Sequence, residues 1–232
     1  MKKKSSLLFV ISGAIFAFFL LFTIAVACIG RQTVVYSEEV SAKVGFGGIN
    51  QAVFNAIGES SLWYDFTEYL GLIALGTAAL FACIGFYQLA VRKSIWAVDR
   101  EILLLAIFYV LVMLFYLFFE LVVVNYRPVL IDGALEASYP SSHSMLACCI
   151  FVTAPLACKH LLKSRFTHLA VTVMCFTFAL ITVIGRLFSG VHWFTDILGA
   201  LILSASLILL YIAALTLLEE NAAHSHRHSH RR

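Results

Sequence analysis

Six runs of about twenty apolar residues decide what this chain can fold into. They cover residues 7–29, 69–91, 102–124, 144–162, 168–184 and 197–218. Hydrophobic residues make up 62% of the chain and charged residues 12%, about half the charged share of a soluble domain. Lipid is therefore the solvent, and in lipid each backbone polar group must be satisfied within its own segment, which selects helices. The expectation is an all-α integral membrane protein with six transmembrane helices in one bundle. The first run follows Met1-Lys2-Lys3-Lys4 and contains Ala25-Val26-Ala27, which resembles a cleavage site. It exceeds the core of about 7–15 residues of a signal peptide, so it reads as an uncleaved signal anchor.

Positive charge orients the bundle. With the N-terminus inside, Lys2, Lys3, Lys4, Arg92, Lys93, Arg100, Lys159, Lys163, Arg165, Arg227, Arg231 and Arg232 are cytoplasmic, and only Arg31, Lys43, Arg127 and Arg186 lie outside. This asymmetry follows the positive-inside rule. It places both termini in the cytoplasm of a multi-pass plasma-membrane protein. Three parts follow: residues 1–63, a signal-anchor helix and outer amphipathic segment; 64–218, a five-helix core; and 219–232, a His/Arg-rich cytoplasmic tail. In the outer segment Ile49, Val53, Phe54 and Ile57 alternate with Asn50, Gln51 and Asn55. The pattern predicts a short interfacial amphipathic helix between the first two spans, with Trp63 and Tyr64 anchoring its end. A structured loop packed over the bundle is the alternative.

The six cysteines lie in or beside apolar runs without C-x-x-C spacing, so they read as packing residues, with no disulfide and no zinc site. No basic stripe runs between aromatics, which argues against nucleic acid as a partner.

Three polar motifs sit at the ends of the apolar runs, all on the outer face: Arg127-Pro128, Pro140-Ser141-Ser142-His143, and Gly185-Arg186 followed by His192 and Asp196. Arginine presents a planar fork of donors matched to phosphate. His192 and Asp196 are four apart, so on a helix they share a face, and the carboxylate can hold one ring nitrogen while the other attacks an electrophile. Arg127, Arg186 and backbone N–H groups near Ser141–His143 suit the non-bridging oxygens of a phosphoryl group. His143, at a helix start, is placed to protonate a leaving oxygen. Any one of these residues has an ordinary explanation, such as a snorkelling arginine or a helix cap. Five together on one membrane face point to function.

The motifs resemble the signature of the type 2 phosphatidic acid phosphatase superfamily, which includes vanadium haloperoxidases: K-x6-R-P, P-S-G-H and S-R-x5-H-x3-D. Here they read Glu120-x6-Arg127-Pro128, Pro140-Ser141-Ser142-His143 and Gly185-Arg186-x5-His192-x3-Asp196. The resemblance implies six transmembrane helices and a phosphatase that needs no metal or other cofactor and works through a phosphohistidine. It implies His192 as nucleophile, Asp196 as its orienter and His143 as general acid, with Arg127, Arg186, Ser141 and Ser142 around the phosphate. Gly185 in place of serine removes a hydroxyl, and Ser142 in place of glycine adds one. Glu120 in place of lysine reverses a charge near the site; the expectation is that it pairs with Arg127 or Arg186 and orients it. Contact with a cationic or hydroxyl-bearing headgroup, or weakened phosphate binding, are the alternatives.

The connection 129–139 is short and no outer loop forms a separate domain, so the site lies at headgroup depth. The expected activity is hydrolysis of a lipid phosphate or diphosphate, of the polyprenyl diphosphate, phosphatidylglycerophosphate or phosphatidate type, on the extracytoplasmic face. A lipid phosphotransferase and a non-catalytic lipid-binding or translocating protein are the rivals. A homo-oligomer stays open. The tail histidines His224, His226, His228 and His230 offer transition-metal ligands, with a solvated basic tail as the plainer reading.

Overall fold

The structure, a computed structural model, describes residues 4–159, 161–162 and 164–229, with side chains of the last helix described as far as Ala223. Seven α-helices are present among these residues: α1 (Lys4–Cys28), α2 (Gly47–Ile57), α3 (Ser61–Arg92), α4 (Arg100–Leu121), α5 (Ser142–Cys158), α6 (Arg165–Phe188) and α7 (Phe194–Ser229). A two-stranded antiparallel hairpin, β1 (Gln32–Val35) and β2 (Ser41–Val44), pairs Gln32 with Val44 and Val35 with Ser41. The outer segment is therefore not purely helical.

Five helices, α1, α3, α4, α6 and α7, are long and apolar enough to cross a membrane. The fourth expected span is shorter than the sequence suggests. It ends at Cys158, and its 17 residues reach about 26 Å at 1.5 Å per residue. This helix, α5, is packed by α3, α4, α6 and α7 and buries Met145, Cys149, Ala154 and Ala157. Its own outer ring is thus protein rather than lipid.

The second span differs in the other direction. Hydropathy places its start near residue 69, but α3 begins at Ser61. Asp65 and Glu68 interrupt the apolar run without interrupting the helix, and Glu68 finds charged partners at the site described below. The last helix runs on to Ser229, so most of the expected tail segment 219–232 is helical. The metal-binding reading of its histidines falls outside the described side chains.

Helix α1 lies along α7, joined by reciprocal hydrogen bonds from Ser12 Oγ to the Ser206 carbonyl (2.9 Å) and from Ser206 Oγ to the Ser12 carbonyl (3.0 Å). In lipid, such small polar residues allow close helix approach. Near the motif end, the connection after α4 inserts Tyr139 between helices. Its ring stacks on Phe19 and meets Phe119 edge-on, and its hydroxyl bonds Thr23 Oγ1 at 2.9 Å. The loop carrying the first two motifs is thereby pinned to the aromatic core.

Candidate active site

All three motifs gather at one end of the bundle. Arg127 follows α4, His143 lies in the first turn of α5, Arg186 in the last turn of α6, and His192 and Asp196 flank the start of α7. Backbone bonds tie the motifs together. The amide of Ser141 donates to the Asp196 carbonyl at 3.1 Å. The indole of Trp193 donates to the Tyr126 carbonyl at 2.6 Å.

His192 lies in the turn before α7, not on a helix with Asp196. Its Nδ1 is 3.0 Å from the Ser138 carbonyl. A carbonyl can only accept, so Nδ1 carries the proton and Nε2 keeps its lone pair. Asp196 Oδ2 is 3.8 Å from the ring and accepts the Trp193 amide at 2.8 Å. The hydrogen bond expected from Asp196 is thus made by Ser138, and the carboxylate holds the turn. Burial, then the charges of Arg186 and Arg127, keep the His192 pKa well below the ordinary histidine value, so the ring stays neutral.

The outer segment clasps this turn. Asn50, fully buried, donates to the carbonyl of Gly45 (2.8 Å) and to Thr195 Oγ1 (2.9 Å) and accepts the Thr195 amide (3.1 Å). Phe54 packs on Trp193 at 5.8 Å. Asn50 and Phe54 of the outer segment therefore pack on the turn that carries His192. Tyr36 of the hairpin donates to the Arg127 carbonyl at 2.7 Å.

The other side of the site is built from α3. Arg186, 1% exposed, donates through one terminal nitrogen to Glu68 Oε1 (3.0 Å) and to Thr67 Oγ1 (3.3 Å), and its guanidinium lies over the Tyr64 ring at 5.3 Å. The other oxygen of Glu68 is 3.1 Å from Nε2 of His143. The glycine at 185 makes this possible: a Cβ there would meet Thr67 Cγ2 at 2.5 Å and the Trp63 ring at 2.9 Å. The lack of a side chain at 185 lets α3 close on α6.

Arg127 pairs with Glu136 (Nε to Oε2, 3.1 Å). Neither arginine pairs with Glu120, which is exposed at the end of α4 and lines a narrow cleft with Ser142 and His192. The expected pairing is not made because Glu68 and Glu136 take its place. Ser141 is buried, with its hydroxyl donated to Ser144 Oγ at 3.0 Å, so its Oγ proton and its amide are both committed. Ser142 lines the cleft. Sequence reasoning missed Asn50, Ser138 and Glu68. Only Glu68 left a signal, as an acid at the edge of an apolar run.

Most of the buried polar atoms without a hydrogen-bond partner among the described residues gather here. They include Arg127 Nη1, Arg186 Nε, His143 Nδ1 and His192 Nε2, whereas Arg127 Nε meets the Glu136 carboxylate. The side chains of Asn125 and Ser138 face the Asp196 carboxylate. Buried donors are normally satisfied. Two guanidinium groups and two imidazoles, within electrostatic reach of one another, can together surround a tetrahedral anion. Among the described residues no three His, Cys, Asp or Glu side chains group to hold a metal ion.

Residues 122–218, which carry nearly all the motif positions, match the family model described as the PAP2 superfamily. The fold is similar to that of the first transmembrane PAP2 type phosphatidylglycerolphosphate phosphatase from Bacillus subtilis, at 22% identity and a TM-score of 0.57, covering 88% of this chain and 94% of that one. Aquifex aeolicus LpxE aligns at 22% identity and a TM-score of 0.42, covering 78% of this chain and 99% of that one. No curated protein sequence matches this chain.

Proposed function

We propose that this membrane protein, of the PAP2 superfamily by residues 122–218, hydrolyses a lipid phosphate or diphosphate at the extracytoplasmic leaflet through a phosphohistidine. The observation that carries the reading is that Arg127, Arg186 and His143 each keep a buried nitrogen without a hydrogen bond (Nη1, Nε and Nδ1) beside the lone pair of His192. His192 Nε2 attacks phosphorus, the arginines stabilise charge on the non-bridging oxygens, and His143 protonates the leaving oxygen. Water then attacks the phosphohistidine and releases inorganic phosphate.

A lipid substrate is favoured by the cleft beside His143. It holds about 230 Å³ and is lined by Glu68, Ser142 and His143 together with Leu72, Leu75 and Met113. A polar head on an apolar trough suits an amphiphile.

The test is phosphate release by the purified protein from phosphatidate, phosphatidylglycerophosphate and a polyprenyl diphosphate, with and without chelator. Release that persists in chelator is the expected result. No release from any of the three refutes the reading. Loss in chelator with recovery on adding magnesium or zinc refutes the metal-independent mechanism. Transfer of phosphate to an added alcohol would make the protein a phosphotransferase.

A further inference from the structure

The phosphatase reading leaves unexplained why α3, which lies outside the matched segment, sends a carboxylate into the site. Glu68 touches both a phosphate-binding arginine and the acid histidine: Oε1 accepts from Arg186 at 3.0 Å, and Oε2 lies 3.1 Å from His143 Nε2. A carboxylate only accepts, so Nε2 of His143 carries a proton. That leaves Nδ1, buried and without a partner, as the ring atom available to the leaving group. For His143 to act as an acid, Nδ1 must be protonated as well. A ring protonated at both nitrogens is a cation, and Arg186 and Arg127 lie nearby, so it needs a counter-charge.

We propose that Glu68 is the positioning residue of the acid histidine: its carboxylate fixes Nε2–H of His143, balances the imidazolium against Arg186, and so presents Nδ1–H to the leaving oxygen. The inference rests on the phosphatase reading. In the first half-reaction the His192 Nε2–P bond forms and the P–O ester bond breaks. The Nδ1 proton of His143 passes to that oxygen, and the alcohol leaves neutral. In the second, Nδ1 takes a proton from water as its oxygen bonds to phosphorus and the P–N bond breaks. Inorganic phosphate leaves and the imidazolium is restored. Glu68 keeps its hydrogen bond to Nε2 throughout and neither gains nor loses a proton.

Local packing is built around this contact. Gly71 lies one turn after Glu68 on α3, and a Cβ there would meet His143 Cδ2 at 2.9 Å and Nε2 at 3.3 Å. Gly71 therefore makes room for the ring that Glu68 holds, and it does so without touching Arg186.

The readout that separates positioning of an acid from a purely structural role is dependence on the leaving group. Full-length Glu68→Gln is assayed on short-chain phosphatidate, whose alcohol needs a proton to leave. It is assayed in parallel on p-nitrophenyl phosphate, whose phenolate does not, or on farnesyl diphosphate if the wild type ignores the aryl ester. General acid catalysis contributes typically 10²–10⁴-fold, so kcat on phosphatidate should fall by about 100-fold, against less than about threefold on the activated substrate. KM should not rise, and Glu68→Asp should recover part of the loss. Gly71→Ala should show the same selectivity by displacing His143 alone, and it carries the test if Glu68→Gln does not fold. Equal losses on both substrates, or no loss on either, overturn the proposal. A wild type that releases phosphate from no substrate overturns the phosphatase reading instead.

Discussion

His192 is held by backbone: its Nδ1 proton goes to the Ser138 carbonyl, and its turn is fixed by the Asp196 carboxylate on Trp193 N–H and by Asn50 on Thr195. His143, a quarter exposed, is held by one oxygen of the half-exposed side chain of Glu68, which also pairs with Arg186. On the proposed mechanism, the difference follows from what each ring has to do. A nucleophile must keep one tautomer through the whole cycle, and a carbonyl that can only accept enforces that. An acid must cycle between one proton and two, and a carboxylate tolerates both states. Rigidity is therefore concentrated on the α7 side of the site and charge balance on the α3 side.

The largest effect tests the first half of that contrast. His192→Ala should abolish turnover, by about 10⁴-fold or more, because the proposed mechanism forms its covalent intermediate on this ring. His143→Ala should cost about 10²–10⁴-fold. Steady-state phosphate release measures both. Retention of more than about a tenth of the activity in His192→Ala would sink the nucleophile assignment.

Asn50→Ala comes next. It removes three hydrogen bonds from a fully buried residue and leaves the Gly45 carbonyl and the Thr195 amide short of a partner. Each orphaned group costs roughly 1–3 kcal/mol, so thermal unfolding in detergent should drop by several degrees and kcat should fall with it. An unchanged midpoint with full activity would mean that the α7 turn holds its shape without the outer segment.

Acid should act on the same side. The His192 pKa is lowered in the folded protein, mainly by burial and then by Arg186 and Arg127, while in the unfolded chain it sits near 6.5. Above that value neither state binds the proton and the residue contributes no pH dependence. Below it the unfolded chain takes up a proton that the folded protein refuses. Stability is therefore lost as pH falls from about 6.5 toward the lowered folded value, with a limiting slope of about 1.4 kcal/mol per pH unit. Denaturation midpoints of wild type and His192→Gln between pH 7 and 5 should diverge. Parallel curves would show that His192 titrates normally.

The contrast also marks what could be read from the chain. The apolar runs, the gathering of Arg127, His143, Arg186 and His192, and the packed role of the outer segment as an alternative were all legible, because hydropathy and short motifs are local. The partners were not. Spacing of four offered Asp196 to His192, but the turn before Phe194 puts the ring against Ser138, 54 residues earlier. Similarly, a seven-residue spacing offered Glu120 to Arg127, whereas the carboxylates used are Glu136, brought opposite by the amide of Arg127 bonding the Glu136 carbonyl (3.1 Å), and Glu68, from another helix. Hydropathy also began α3 eight residues late and so hid Glu68 at its margin. Pairings across the fold depend on which faces meet, and single-chain periodicity does not carry that.

The smallest expected effect belongs to Glu120, and it asks whether the α4 side of the site is held like the α3 side or not at all. Its carboxylate is exposed at the last turn of α4 and lines the cleft shared by Ser142 and His192. Both arginines are already matched, Arg127 by Glu136 and Arg186 by Glu68. A solvated charge at that position interacts weakly, since exposed pairs contribute about 0–1 kcal/mol and salt screens them further. Glu120→Gln should therefore change kcat by less than about threefold, with any fall in KM for an anionic lipid vanishing at high salt. Glu120→Lys, which puts a cation where the resembling motif has one, should give no gain in kcat if Arg127, Arg186 and His143 hold the phosphate as proposed. A loss of tenfold or more in Glu120→Gln that persists at high salt would show that Glu120 takes part in binding, and that the α4 side is a third, charge-balanced wall of the site.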